Sequence, residues 1–423
     1  MREFMDGNTA IARGAIDAGC DFFAGYPITP ATSILLAMMR DLPRVGGIAV
    51  QGEDEIASLG FCIGAALSGR RAFTATSGPG ISLYSENIGL AMMGEVPLVI
   101  VDVQRMGPAT GGATTVSQGD VQFIRWGTSG GYPVIALCPA TVADCYTLTT
   151  RAFDLAERFR CPVFLLTDKE MASTMDTVEV KELVATPVRE RETAPPECLF
   201  APCDYPSLNQ NAAMSPFGGP HLLRFTTSTH DEYGFLTKNP AKVERLNRHL
   251  IEKIEAYRNE IEMVRADMQA GAETLLVSYG ITAQAMDEAV HAARASGHHV
   301  SALTLLSLWP LPVAAIEAAL ASPQSTPVGE KGLADEVFPA QQASQLSPAE
   351  GKHASAQAPL TTSRRGRPVK GGIRRVVVAE LNDGQLRREI ERLVCDGVEV
   401  AGVHRLDGEL ITPQQILHQG GLR

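Results

Sequence analysis

Ala72-Phe73-Thr74-Ala75-Thr76-Ser77-Gly78-Pro79-Gly80 decides the fold. An apolar, β-branched and aromatic run of strand length is cut by Ser-Gly-Pro-Gly, and helix-period residues follow from Gly80 to Met93. The same grammar repeats on both sides. Strands are expected at Phe22–Pro27, Gly47–Gln51, Leu98–Val103, Pro133–Leu137 and Val163–Thr167. Helices are expected at Gly7–Ala18, Ala31–Leu42, Glu53–Leu67 and Ala140–Phe159. Continuous apolar runs indicate strands buried on both faces, hence a mostly parallel sheet covered by helices. Residues 6 to 168 therefore read as one doubly wound α/β domain.

From about Met175 to His230 the periodicity disappears and Pro, Thr, Ser, Asn and Gly accumulate, which predicts an extended connecting segment. Lys238–Gln269 reads as a long, charged amphipathic helix lying across the surface. A second α/β unit begins near residue 271, with strands at Thr274–Tyr279, Val300–Leu305, Arg375–Glu380 and Val398–Gly402. Its helices are expected at Thr282–Ser296, Val313–Leu320 and Gln385–Val394. Residues 322–372 interrupt it with Ser, Pro, Gln, Ala and Gly and end in a basic stretch, Arg364-Arg365-Gly366-Arg367. That composition predicts a disordered surface loop, or a contact for an acidic partner.

The 423 residues and 45% hydrophobic content suffice for two or three domains. A net charge of −11 argues against a nucleic-acid partner, which calls for a basic patch. The first residues, Met1–Asp6, hold no apolar leader and run into a polar helix start. No apolar run approaches the roughly 20 residues that span a bilayer, so a cytoplasmic protein without membrane contact is expected. The 8 cysteines form no C-x-x-C pair and no iron–sulfur run, which predicts neither a metal site nor a cluster on this chain.

Ligands of open α/β sheets bind beyond the carboxyl ends of the strands, so four segments carry most weight. In Gly25-Tyr26-Pro27-Ile28-Thr29-Pro30 two prolines fix a turn and the Thr29 hydroxyl; Thr29 as N-cap with Pro30 at N1 explains it equally well. In Gln51-Gly52-Glu53-Asp54-Glu55 three carboxylates open a helix. Glu53 and Asp54 complement the helix dipole, whereas Glu55 precedes an Ala- and Gly-rich helix and, once buried, needs a specific partner. The turn Ser77-Gly78-Pro79-Gly80 lets backbone approach a ligand, but lacks the spacing of either nucleotide motif. Arg105 leaves an apolar strand for the loop Met106 to Asp120; its planar fork suits a carboxylate ligand, and a structural salt bridge fits as well.

Taken together, G-Y-P-I-T-P, E-D-E-I-A-S, T-A-T-S-G-P-G-I-S-L, S-E-N-I-G-L-A, P-L-V-I-V-D-V-Q-R and T-V-S-Q-G-D resemble, in order, the alpha-subunit pattern of the 2-oxoacid:ferredoxin oxidoreductases. Farther on, Thr229–Gly234, Leu308-Trp309-Pro310 and Glu380–Leu386 are similar to that family too, while Met106, Gly112-Ala113 and the basic insertion depart from it. The resemblance implies two doubly wound, transketolase-like domains joined by an extended linker: a pyrimidine-binding domain over 1–175, linker and long helix over 176–270, and a C-terminal domain over 271–423. It implies thiamine diphosphate, held at its aminopyrimidine end by Tyr26, Pro27, Ile28, Glu55, Ser77 and Gly78. Glu55 would hydrogen-bond N1′ and so make thiazolium C2 nucleophilic, with Thr29 and Arg105 receiving the substrate carbonyl and carboxylate. No G-D-G…N motif for magnesium and diphosphate occurs, so a beta subunit is expected to bring both, with a 4Fe–4S cluster, and further subunits are allowed. The implied reaction is coenzyme A-dependent oxidative decarboxylation of a 2-oxoacid, 2-oxoglutarate by whole-pattern likeness, with reduction of ferredoxin. A branched-chain, aryl or pyruvate-type substrate is the alternative, and a non-catalytic α/β regulatory subunit a further one.

Overall fold

Two large sheets form, one in each of two compact units, Met1–Ile261 with Leu308–Pro310 and Glu262–Ser307 with Leu311–Arg423, and a two-stranded sheet is added in the first. The structure, a computed structural model, describes residues 2–180, 183, 185–321, 338–339 and 372–422. The interruption expected at 322–372 lies outside the described residues, apart from 338–339 and 372.

In the first unit the chain runs β1 (Arg2–Asp6), α1 (Gly7–Asp17), β2 (Phe22–Gly25), α2 (Thr32–Asp41), β3 (Ile48–Gln51), α3 (Glu55–Leu67), β4 (Ala72–Thr76), α4 (Pro79–Leu83), α5 (Ser85–Met93), β5 (Leu98–Gln104), α6 (Val121–Trp126), β6 (Ile135–Leu137), α7 (Val142–Phe159), β7 (Pro162–Asp168), α8 (Lys169–Ser173), β8 (Met175–Glu179), α9 (Pro240–Glu255) and α10 (Arg258–Ile261). The pairs β2–β3, β2–β4, β4–β5, β5–β7 and β6–β7 are parallel, and every residue of β5 and β7 is buried, as their unbroken apolar runs require. Phe23 and Phe73 are fully buried with ring centroids 5.4 Å apart, and Phe153 of α7 lies 6.1 Å from Phe73, joining sheet to helix layer.

The N-terminal residues are a strand rather than a helix start: β1 pairs antiparallel with β8, and Asp6 then caps α1 through the Thr9 amide at 2.7 Å. The expected helix over 80–93 breaks at Tyr84 into α4 and α5. The connecting segment is irregular as expected but held down by arginines. Arg191 reaches Glu157 at 2.7 Å and the Ala66 carbonyl at 3.0 Å, and Arg189 Nε reaches Asp154 at 2.7 Å. The long helix ends at Glu255, well short of Gln269, and is not a plain surface helix. Its buried face carries Leu246, His249, Leu250, Lys253 and Ile254, with His249 and Lys253 on Glu95 at 2.6 and 2.8 Å.

Beyond α10 follow β9 (Met263–Asp267), β10 (Thr274–Ser278), α11 (Thr282–Ala295), β11 (Val300–Leu305), β12 (Ser307–Trp309), α12 (Val313–Leu320), β13 (Phe338–Pro339), β14 (Arg375–Glu380), α13 (Gln385–Leu393), β15 (Glu399–His404) and α14 (Pro413–Gly420), all but β12 in the second unit. The order is β13-β9-β11-β10-β14-β15. Residues 263–267, expected as helix, pair antiparallel with β11, because tertiary pairing outweighs local periodicity there. The second unit therefore begins at Glu262 rather than near 271. At Leu308–Pro310 the chain rejoins the first unit, where β12 flanks β6 and Trp309 Nε1 donates to the Val121 carbonyl at 3.0 Å.

Candidate active site

The first sheet has the order β12-β6-β7-β5-β4-β2-β3. From β2 the chain goes to β3 on one side and then to β4 on the other, so the crevice beyond the carboxyl ends of β2 and β4 is a topological switch point. Three loops meet there: Tyr26–Pro30 after β2, Ser77–Gly78 after β4 and Arg105–Asp120 after β5. The helix α3, which follows β3, adds Glu55.

Asp54 caps α3, its carboxylate accepting the Ala57 amide at 2.7 Å. Glu55 is thus the first helical residue and only 8% exposed, while Glu53 precedes the helix, which corrects the expected start. A Cβ on Gly80 would lie 3.1 Å from Glu55 Oε1 and 2.0 Å from Thr76 Oγ1, so only glycine admits the first turn of α4 this close to the carboxylate. Tyr84 closes the floor, its hydroxyl 2.9 Å from Thr74 Oγ1. Burial pushes that phenol above its usual range, and the Glu55 charge adds to the shift.

Arg105 is buried and ties two loops together: Nη1 donates to the Thr29 carbonyl at 2.5 Å and Nη2 to the Thr110 carbonyl at 3.2 Å. Its Nε has no partner. A Cβ on Gly78, whose φ is +39°, would lie 3.4 Å from Arg105 Cγ and 3.6 Å from Nε, so the β4 turn lies against this side chain. Thr29 is not an N-cap. The α2 N-cap is Ala31, without a side-chain bond, because the Thr29 carbonyl faces Arg105 and the Pro30 carbonyl accepts from Asn8 at 3.0 Å. Thr29 and Tyr26 are exposed, Pro27 and Ile28 half-buried, and Ser77 is fully buried. Thr29, Glu55, Ser77, Gly78 and Arg105 therefore border one crevice. Tyr26, Pro27 and Ile28 join it through the β2 loop they share with Thr29.

Sequence reasoning passes over Asp102, Gln104 and Asp120. Asp102 is the one acid in the β5 run Leu98–Gln104, a signal that a buried carboxyl is being kept for a purpose. Buried oxygens of Thr76, Ser77, Asp102 and Asp120 lack hydrogen-bond partners, as does Arg105 Nε. Buried polar groups are normally paired, so this concentration at one strand edge marks a place that awaits a polar ligand. The cysteines build no such place: all 8 are free, and Cys198 is exposed, 3.8 Å from His221.

A sequence model of the family described as "Pyruvate flavodoxin/ferredoxin oxidoreductase, thiamine diP-bdg" matches residues 13–249. The chain belongs to the 2-oxoacid:ferredoxin oxidoreductase family. A second model, pyruvate:ferredoxin oxidoreductase core domain II, matches residues 272–335. The 2-oxoglutarate synthase subunit KorA of Methanothermobacter thermautotrophicus is 36% identical over 98% of this chain and 97% of its own. The ketoisovalerate oxidoreductase subunit VorB of the same organism is 35% identical over 73% of this chain and 80% of its own. Among solved structures, a 2-oxoglutarate:ferredoxin oxidoreductase from Magnetococcus marinus with 2-oxoglutarate, coenzyme A and succinyl-CoA bound superposes with a TM-score of 0.82 at 28% identity. That likeness covers 99% of this chain, which spans 64% of the solved chain.

The matched domain of this family member is a thiamine-diphosphate-binding one, and its crevice fits the polar edge of that cofactor. An aminopyrimidine offers a ring nitrogen and an amino group; the buried Glu55 carboxylate and the unpartnered hydroxyls of Thr76 and Ser77 are complementary to both. Among the described residues no three His, Cys, Asp or Glu side chains are grouped to hold a metal ion, and no helix is long and apolar enough to cross a membrane.

Proposed function

We propose that this chain is the alpha subunit of a thiamine-diphosphate-dependent 2-oxoacid:ferredoxin oxidoreductase that converts 2-oxoglutarate and coenzyme A to succinyl-CoA and carbon dioxide. The observation that carries the reading is the buried Glu55 carboxylate against Gly80, one strand away from Arg105 with its unpartnered Nε. Glu55 hydrogen-bonds the pyrimidine nitrogen N1′ and moves a proton with it, which is acid–base assistance from a side chain fixed by its own helix cap. Bound thiamine diphosphate supplies a nucleophilic carbon and an electron sink for decarboxylation. Tyr26, Pro27, Ile28, Ser77 and Gly78 line the pyrimidine ring. The Thr29 hydroxyl receives the 2-oxo group, and Arg105 faces the carboxylate beside it, buried so that the pairing is little screened.

The family's G-D-G…N motif does not occur in the sequence, which supports a beta subunit that brings magnesium, the diphosphate contacts and a 4Fe–4S cluster to a heteromeric complex. That cluster would carry the two electrons of the oxidation to ferredoxin one at a time. Full-length similarity to a 2-oxoglutarate synthase subunit, and to a solved relative that holds 2-oxoglutarate and coenzyme A, supports this substrate. Similarity to a ketoisovalerate subunit favours a branched-chain oxoacid as the second reading.

The test is anaerobic purification of the chain with its cluster-bearing partner, followed by viologen reduction with 2-oxoglutarate, 2-oxoisovalerate, an aryl pyruvate and pyruvate. We expect 2-oxoglutarate to lead in kcat/KM by about tenfold or more, the scale on which side-chain pockets discriminate. A lead for 2-oxoisovalerate changes the substrate and keeps the chemistry. No coenzyme A-dependent reduction with any of them sinks the catalytic reading.

A further inference from the structure

Two acids stand behind Arg105 that the reading above does not use, Asp102 fully buried and Asp120 half-buried with its Oδ2 out of water. Asp102 and Gln104 lie on the same face of β5, being two residues apart on a strand. Gln104 Oε1 accepts the Asp120 amide at 3.1 Å, and its Nε2 is anchored to the Thr167 carbonyl at 3.2 Å. Gln104 thereby fixes Asp120 over the face that carries Asp102. Asp102 is fully buried and neither of its oxygens meets a donor at bonding distance; Asp120 Oδ2 is in the same state. Two carboxylates facing one another out of water do not both stay ionised.

The surroundings fix the charge balance. Arg105 is the cation facing Asp120. From the β4 turn only the Gly78 amide faces Asp102. Glu55 of α3 lies beyond Gly80 and Thr76. Asp168, at the end of β7, is occupied by Gln118 Nε2 at 3.1 Å and by the Met171 amide at 2.9 Å. Burial, with the Asp120 charge adding to it, holds the Asp102 carboxyl well above the usual carboxylate range. Burial also pushes Asp120 up to about 6, against the opposing pull of the Asp102 contact and Arg105. Asp102, the more deeply buried of the two acids, keeps the proton of the pair, so one carboxylate charge stands against the guanidinium and the set carries no net charge.

We propose that capture of the 2-oxoacid carboxylate by Arg105 draws one proton from solvent onto the Asp102–Asp120 pair. The inference rests on the assignment of Arg105 as the carboxylate's partner. A carboxylate entering a neutral, dry set leaves one negative charge in excess, and protonation of Asp120 removes it. Carbon dioxide departs neutral, the bonding electron pair staying behind with the electron sink, and with no anion left beside Arg105 the proton returns to solvent. The sign follows from linkage. Asp120 is half-protonated near pH 6 without substrate and holds its proton to a higher pH with it, so between those limits affinity falls as pH rises, by up to about tenfold per unit.

The assembled complex is titrated calorimetrically above pH 6, in two buffers of different ionisation enthalpy, with the unreactive 2-hydroxy acid matching its preferred oxoacid, 2-hydroxyglutarate for 2-oxoglutarate. Wild type is expected to take up close to one proton per site. Asp120→Asn should bind the same probe without uptake and flatten the pH dependence of KM. Asp102→Asn leaves Asp120 to take the proton alone, so it should bind the same probe with the pH of uptake displaced, and it carries the test if Asp120→Asn does not assemble. Arg105-dependent binding without proton uptake in wild type, undiminished uptake in Asp120→Asn, or an uptake profile in Asp102→Asn identical to wild type, overturns the inference alone. Unaltered binding in Arg105→Ala overturns the Arg105 assignment itself.

Discussion

Both units place a crevice where the strand order of a parallel sheet reverses, between β2 and β4 in the first and between β10 and β14 in the second. The two are finished in opposite ways. In the second, Glu380 is fully buried and its carboxylate accepts the Leu386 and Arg387 amides, both at 2.9 Å, and the Tyr279 hydroxyl at 3.2 Å. Asn382 completes the lock, donating to Tyr279 at 2.9 Å and accepting the Gln385 amide at 2.8 Å. The chain fills its own anion site at the start of α13, although His404 Nε2, 3.9 Å from Glu380, keeps no hydrogen-bond partner. In the first crevice Thr76, Ser77, Asp102 and Arg105 keep buried polar atoms without partners, and glycines stand where a Cβ would close the gap. Topology offers a site twice; polar satisfaction decides which one is left for a ligand.

The contrast can be broken most sharply at Glu55. Glu55→Ala is expected to lower turnover of the assembled complex by about two to four orders of magnitude, the usual scale of lost acid–base assistance, with assembly intact. Near-normal turnover of that purified variant would take Glu55 out of the chemistry. Arg105→Lys should raise the oxoacid KM about ten- to hundredfold, since a charged hydrogen bond of roughly 1.5–3 kcal/mol is lost with the planar fork. An unchanged KM leaves Arg105 only as the tie between Thr29 and Thr110. Glu380→Ala sharpens the other side. It strips two amides of their acceptor and should cost about 1–3 kcal/mol in chemical denaturation, with the oxoacid KM unmoved. A shifted KM with unchanged stability would mean that the second crevice serves a ligand after all.

Much of the site was visible because its parts are local. A Gly-rich break after an apolar run announces a loop at a strand end, and Glu55 stood out as an acid in front of a small-residue helix. Three things were hidden. The Thr29–Pro30 pair reads as a helix cap until Arg105 is seen holding the Thr29 carbonyl. Asp102 sits inside an apolar run that otherwise reads as plain strand. The charged helical pattern runs on through Met263–Asp267, whose residues serve as a strand between β11 and β13.

The sequence by itself determined the alternation of buried strands and amphipathic helices, the order of the loops and the family, because periodicity and turn chemistry act between near neighbours. Only the tertiary structure decided that β1 pairs with β8, that Trp309 returns to the first unit, and that Gln104 holds Asp120 above Asp102 behind Arg105. Such pairings depend on which apolar faces are buried together, and no local pattern records the partner.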